Sequence, residues 1–114
     1  MTIEYYGEKQ FYQEIKAGGV VWVARSIYKN IYALELDKSG LSLPVWSTRE
    51  RVISFLNTAR LVGPKYEPDS VPLDVFANAW LSDQAMGISE LQINPDGKSS
   101  RVLIFTVDEF QLPE

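Results

Sequence analysis

With 114 residues, 46% of them apolar, the chain has a typical single-domain length and enough apolar material for a core, so we expect one domain over residues 1–114. The absence of cysteine and histidine excludes disulfides, thiol nucleophiles and every catalytic pair built on histidine. Eleven basic residues are scattered among fifteen acidic ones, for a net charge of −4, which argues against binding to nucleic acid or to an anionic membrane.

The N-terminal residues have neither the basic nor the apolar segment of a signal peptide. The longest apolar stretch, residues 20–24, is far shorter than the roughly 20 residues of a membrane span. We therefore expect a cytoplasmic protein. The sequence contains no phosphate-binding loop of the G-x-x-x-x-G-K-[ST] type and none of the usual zinc ligand sets, so we expect no cofactor and no metal.

The first half of the chain predicts one helix and three strands. Residues 8–17 form the helix, because their apolar side chains share one face and a pair of glycines ends the pattern. Strands follow at residues 20–25, 31–36 and 41–46, and their short connections predict an antiparallel meander. The first strand is apolar on both faces, which is typical of a central position. Pro44 cannot donate to a ladder, so the third strand is predicted to be at an edge or bent.

The clearest local signal is the start of a second helix. Ser47 and Glu50 have the spacing of a capping box, in which the hydroxyl accepts from the amide of Glu50 and the carboxylate reaches back. The helix predicted over residues 48–60 carries an apolar stripe that faces the sheet. Residues 61–72, with their prolines, are predicted to form a long irregular loop, in which residues 70–72 could supply a short strand.

The last part of the chain predicts a third helix and a hairpin. The helix covers residues 73–85, and the strands cover residues 88–94 and 101–107, around Asn-Pro-Asp-Gly at 94–97. The final strand is apolar on both faces and is predicted to be central. The whole pattern predicts an α+β fold, with a five- or six-stranded, largely antiparallel sheet and three helices packed mainly on one face.

One apparent catalytic motif is rejected. Residues 26–29 match the S-x-x-K motif of serine β-lactamases and penicillin-binding proteins, and Ser82 and Lys98 begin weaker matches to their other motifs. That chemistry places Ser and Lys one helical turn apart, whereas residues 26–29 lie in a predicted connection between strands. The chain is also much shorter than such an enzyme. We interpret the matches as coincidence and predict no catalytic residue.

The aromatic residues are predicted to be mostly core. Trp22 is mid-strand, whereas Trp46 and Trp80 are near element ends and are predicted to be the more exposed tryptophans. Tyr66 is predicted to be an exposed aromatic in the long loop, flanked by opposite charges. The alternative is that this loop is an ordinary crossover. The predicted binding surface, which extends onto the next helix, consists of Tyr66, Lys65, Glu67, Asp74, Asn78 and Asp83.

Several short segments resemble a bacterial family. They are FYQEI at 11–15, VWV at 21–23, LPVWS at 43–47 with RER at 49–51, VPLDVF at 71–76, WL at 80–81 and GI at 87–88. On these segments the chain resembles the family catalogued as domain of unknown function 2750, over nearly its whole length and least well after residue 94. The passage from Pro44 through Trp46 into a helix also resembles the N-terminal fold of the SseB-like proteins. The resemblance implies a bacterial fold and, by analogy, a secretion or toxin-immunity setting, but no functional residues.

We therefore expect a non-catalytic protein-interaction module that binds an unknown protein or a second copy of itself. The alternative is a small-molecule-binding or regulatory domain with a pocket between the sheet and residues 61–72. An enzyme is the third hypothesis. A polar cleft would favour the small-molecule function, and a flat acidic or apolar patch would favour the interaction module.

Overall fold

The computed structural model describes residues 6–36, 40–59, 63–82, 86–98 and 102–113. The helices are α1 (Tyr6–Gly18), α2 (Arg49–Thr58) and α3 (Leu73–Val75), which continues as a π-helix over Phe76–Trp80. The strands are β1 (Val20–Ser26), β2 (Leu34–Glu35), β3 (Leu41–Val45), β4 (Tyr66–Pro72), β5 (Ile88–Ile93) and β6 (Leu103–Thr106). The predicted α+β class is confirmed, and the Cα radius of gyration, 13.4 Å, agrees with the roughly 13 Å expected for this length.

The strands form two hydrogen-bonded sheets. β1 and β4 pair antiparallel over seven residue pairs. The other four strands have the order β2-β3-β5-β6, in which β3 and β5 run parallel and the other neighbours run antiparallel. Trp22 and Trp46 exchange backbone hydrogen bonds of 2.8 and 2.9 Å, and this bridge joins β1 to the end of β3. The predicted single sheet is therefore a six-stranded assembly in two parts.

The predicted meander has the wrong strand pairing. β1 takes β4 as its long partner and meets the segment before β2 through a bridge between Arg25 and Ile31. β2 and β3 do pair antiparallel, as predicted. The hairpin of β5 and β6 is confirmed, but β6 is the last strand of its sheet rather than a central one. Its apolar character reflects a buried Phe105 on one face and an exposed Ile104 on the other.

The predicted long loop is largely strand β4. Its two prolines suggested a loop, but both fit in the strand because their backbone groups face away from β1. Pro68 lies opposite Ala24, whose carbonyl accepts from the N–H of Tyr32 on the side away from β4. The backbone groups of this pair therefore point out of the β1–β4 ladder, and Pro72 has the same orientation because it lies four residues further along. Neither proline removes a ladder hydrogen bond, which is the position that an edge strand tolerates.

The helices bury two hydrophobic clusters on opposite faces of β1. α1 and α3 cover one face together with the four-stranded sheet, in a cluster that includes Phe11, Ile15, Val21, Val23, Leu43, Val45, Phe76 and Leu91. α2 covers the other face, in a cluster that contains Ala24, Trp46, Val52 and Phe55. Two of the three helices thus share a face. The predicted helix 73–85 is seen over residues 73–80, and residues 83–85 lie outside the described residues.

The predicted capping box is wrong by one residue. Thr48, with extended φ and ψ of −142° and 157°, is the N-cap of α2, and its hydroxyl accepts from the N–H of Arg51 at 3.2 Å. Ser47 instead bonds to Glu14 and Asn94, which come from segments distant in the sequence. Trp46 is fully buried rather than exposed, and its Nε1 donates to the carbonyl of Pro95 at 2.8 Å. Trp22 and Trp80 are both partly buried.

Candidate functional site

The structure places three of the predicted binding residues at the start of β4. Lys65 ends a 3₁₀ turn, Tyr66 opens the strand opposite Ser26, and Glu67 follows. Lys65 and Glu67 are exposed, but Tyr66 is partly buried. Its ring meets Tyr32 edge-on, with 5.4 Å between centroids, and packs against the α2 cluster. Tyr66 therefore contributes to the core and is not the exposed loop aromatic that the sequence predicts.

The other three predicted residues do not join this group. Asp74 and Asn78 lie beyond the opposite end of β4, in α3 and its π-helical continuation, and both are exposed. The seven residues of β4 span about 20 Å, so the structure separates them from Tyr66. Asp83 lies outside the described residues. The predicted surface is thus divided between the two ends of one strand.

A cleft of about 460 Å³ lies between α2 and β4, beside the segment from which the sequence predicts a pocket. Its lining consists of Ile53, Leu56, Asn57, Gly63, Pro64, Tyr66, Glu67 and Pro68. The walls are mainly apolar, with one amide and one carboxylate. Gly63 is required at this position, since a Cβ there would lie 2.0 Å from the carbonyl oxygen of Leu56. The close approach of these two backbones fixes the shape of the cleft.

A second, more polar cleft of about 350 Å³ adjoins the first. Its lining consists of Arg25, Ser26, Ile27, Lys29, Glu67, Pro68 and Asp69. Glu67 and Pro68 line both clefts and separate them. Arg25 forms an ion pair with Asp69 across β1 and β4, and its Nη1 donates to the carbonyl of Lys29 at 3.3 Å. This pair anchors the turn at residues 26–30 to the end of the β1–β4 sheet.

That turn carries the two most exposed large apolar side chains of the described residues. Ile27 is 74% exposed and Tyr28 is 79% exposed, next to each other. The sequence pattern does not single them out as a binding site, because residues 26–29 match only the rejected S-x-x-K motif. The sequence does contain a signal for this surface. Turns usually contain glycine, proline or small polar residues, whereas this predicted turn has two large apolar residues and neither glycine nor proline.

The backbone of this turn is held by Ser26. Its hydroxyl accepts from the N–H groups of Tyr28 at 3.2 Å and Asn30 at 3.1 Å. Its carbonyl accepts from the N–H of Lys29, and its own N–H donates to the carbonyl of Asn30 at 2.8 Å. Lys29 has a φ of 69°, a left-handed conformation that is uncommon for a residue with a Cβ. Ser26 and Lys29 thus lie in a turn between strands, as predicted, and not on one face of a helix.

A separate polar cluster joins α1, α2 and β5. The Ser47 hydroxyl donates to the Glu14 carboxylate, which also accepts two bonds from Arg51. Asn94, at a φ of 51°, accepts from the N–H of Ser47 at 2.9 Å and donates to its hydroxyl at 3.0 Å. Ser47 is only 3% exposed, so this hydroxyl connects elements of the fold and is closed to a substrate.

No protein-family model matches the sequence, and no curated protein matches it. Within the described ranges, no group of three or more acidic side chains could hold a metal ion. In the same part of the chain, no helix is long and apolar enough to cross a bilayer.

Proposed function

We propose that this protein is a non-catalytic protein-interaction module whose partner contacts the turn at residues 26–30. The observation that carries the proposal is the exposure of Ile27 and Tyr28 on a backbone held by four hydrogen bonds to Ser26. Adjacent exposed apolar side chains are typical of interaction sites, and tyrosine is enriched at binding hot spots. A turn that is already ordered loses little conformational entropy on binding.

Contact through side chains is favoured over strand addition because the outer strands β4 and β6 have blunted edges and the remaining outer strand, β2, is only two residues long. On β4, the outward positions include Pro68 and Pro72, which have no N–H to offer a partner strand. On β6, the N–H of Val107 donates to the carbonyl of Ser89, so the N–H and carbonyl of the preceding residue, Thr106, face outward. Glu109 forms hydrogen bonds with both of these outward groups. The carboxylate of Glu109 accepts from the Thr106 N–H at 2.7 Å, and its N–H donates to the Thr106 carbonyl at 3.0 Å.

The cellular setting is part of the proposal. A cytoplasmic bacterial protein with an immunity- or secretion-related partner agrees with the resemblance to the domain of unknown function 2750 family and the SseB-like fold.

The test is a capture experiment with matched baits in native cell extract. The parent and the double variant Ile27→Ser/Tyr28→Ser should have similar melting temperatures, because exposed substitutions usually change stability by less than about 0.5 kcal/mol. Val75→Ser, at a 41% exposed apolar residue on α3, is the control. A partner protein captured by the parent and the control, but lost by the double variant, supports the proposal. Equal capture by all three baits would place the interface elsewhere.

Small-molecule binding is the second candidate function, and the cleft between α2 and β4 is the observation that favours it. Its volume of about 460 Å³ falls within the usual range for ligand pockets, about 300–1,000 Å³. A ligand would combine an apolar body with a group that donates to Glu67. Asn57→Trp should block the cleft, whereas Ser54→Trp, on an exposed position of α2 outside the lining, should not. A library compound that raises the melting temperature of the parent and of Ser54→Trp, but not of Asn57→Trp, would support this function.

A further inference from the structure

The exposed turn and the cleft between α2 and β4 lie side by side on one end of the molecule. Ile27 lines the polar cleft and Leu56 lines the apolar one, and Glu67 and Pro68 line both. An apolar projection therefore adjoins an apolar recess. A surface with both features offers what a two-fold interface requires, because each copy there presents the same patch to the other.

The charges on this surface are also arranged so that two copies could pair. Lys29 is exposed on the projecting turn, and Glu67 is exposed at the rim of the recess; both also line the polar cleft of their own chain. Neither takes part in the ion pairs found among the described residues, Arg25 with Asp69 and Arg51 with Glu14. Seating the turn of one copy in the recess of another brings each Lys29 towards the Glu67 of the opposite chain, twice in a symmetric pair.

We propose that the partner is a second copy of this chain. The turn of each copy seats Ile27 and Tyr28 in the α2–β4 cleft of the other, against walls that include Ile53 and Leu56. The inference rests on the proposed interaction function and names the partner. Because every contact occurs twice, a weak individual contact is doubled in the dimer.

The test uses charge reversal and analytical ultracentrifugation of the purified protein over a range of concentrations. The parent should dimerise, and Lys29→Glu and Glu67→Lys should each weaken the dimer, by about tenfold or more, since like charges then oppose each other at both contacts. An equimolar mixture of the two variants should restore dimerisation, because the mixed dimer has opposite charges at both contacts. An effect within one chain would not be rescued by mixing.

Two further variants test the apolar contact and control for the change in net charge. Tyr28→Ser should shift the protein to monomer, whereas Glu50→Lys, the same charge change at an exposed position of α2 outside the clefts, should leave the dimer unchanged. A monomer at all concentrations, or a dimer indifferent to both charge reversals, would overturn the inference. Neither result would overturn the interaction function, which the capture experiment tests for any partner protein.

Discussion

Arg51 holds Glu14 in a two-point contact, with Nε 2.8 Å from Oε1 and Nη2 3.0 Å from Oε2. The hydroxyl of Ser47 donates to the same carboxylate, and Asn94 bonds to Ser47 from the other side. These four side chains tie α1 to the start of α2 and to the end of β5. Bidentate charged contacts of this kind are stronger than single neutral hydrogen bonds.

The contact makes stability depend on pH. The pKa of Glu14 lies below its ordinary value, chiefly because of the hydrogen bond from Arg51; burial opposes this shift, and the Ser47 bond adds to it. The contribution of Glu14 to stability is therefore complete above its unfolded pKa, about 4.3, and is lost as the pH falls through the lower folded value. Glu14→Gln should lower the urea midpoint at pH 7, and the gap to the parent should narrow progressively as the pH falls below the unfolded pKa. A gap that stays constant over this range would contradict the prediction, and Glu50→Gln is the exposed control.

The two residues before α2 should respond differently to alanine substitution. Thr48→Ala removes the N-cap and should cost about 1 kcal/mol. Ser47→Ala removes a buried hydroxyl that bonds to two partly buried side chains, one of them a carboxylate, and should cost about 1–3 kcal/mol. In double-mutant cycles with Glu14→Gln, measured by urea unfolding, Ser47→Ala should be strongly non-additive, whereas Thr48→Ala should couple more weakly, because Thr48 is linked to Glu14 only through Arg51. The reverse pattern would restore Ser47 as the cap.

This pair of residues shows why local sequence patterns predicted the elements better than their details. Helix faces and the turn at 94–97 depend on neighbouring residues, and the three helices and the hairpin follow from the sequence. The cap depends instead on where β3 ends, which the bridge between Trp22 and Trp46 sets across 24 positions of the chain. The S-x-x-E spacing of Ser47 and Glu50 is present, but Ser47 has stronger partners from distant segments.

The candidate site shows the same limit. Prolines in residues 61–72 indicate a loop only if a strand ladder would need an N–H donor at their positions. That need depends on which way each residue faces in the pairing with β1, which the sequence does not reveal. The burial of Tyr66 depends in turn on its contact with Tyr32, 34 residues away. Ile27 and Tyr28 were visible as apolar residues in a turn, but their exposure depends on what packs nearby.

The tryptophans should differ in emission and in their contribution to stability. Trp46 is fully buried, contacts Phe55 at 5.1 Å between ring centroids and donates to Pro95, whereas Trp22 is partly buried. Trp46→Ala should cost about 3–5 kcal/mol. Among variants that retain one tryptophan, with phenylalanine at the other two positions, the one that keeps Trp46 should have the bluest native emission. A redder emission from it than from the variant that keeps Trp22 would contradict the burial of Trp46.

The close approach of Gly63 to Leu56 should make two glycine-to-alanine substitutions opposite in sign. A Cβ at Gly63 would lie 2.0 Å from a backbone oxygen that cannot rotate away, so Gly63→Ala must displace the chain after α2 and should cost about 1–3 kcal/mol, as overpacking does. A Cβ at Gly18, the last residue of α1, meets nothing within 4 Å, and Gly18→Ala should stabilise by about 0.5–1 kcal/mol, because alanine loses less entropy in a helix. Urea midpoints compare the two variants directly. Equal effects would show that chain entropy alone decides both positions, whereas opposite effects would show that contact between backbones shapes the cleft.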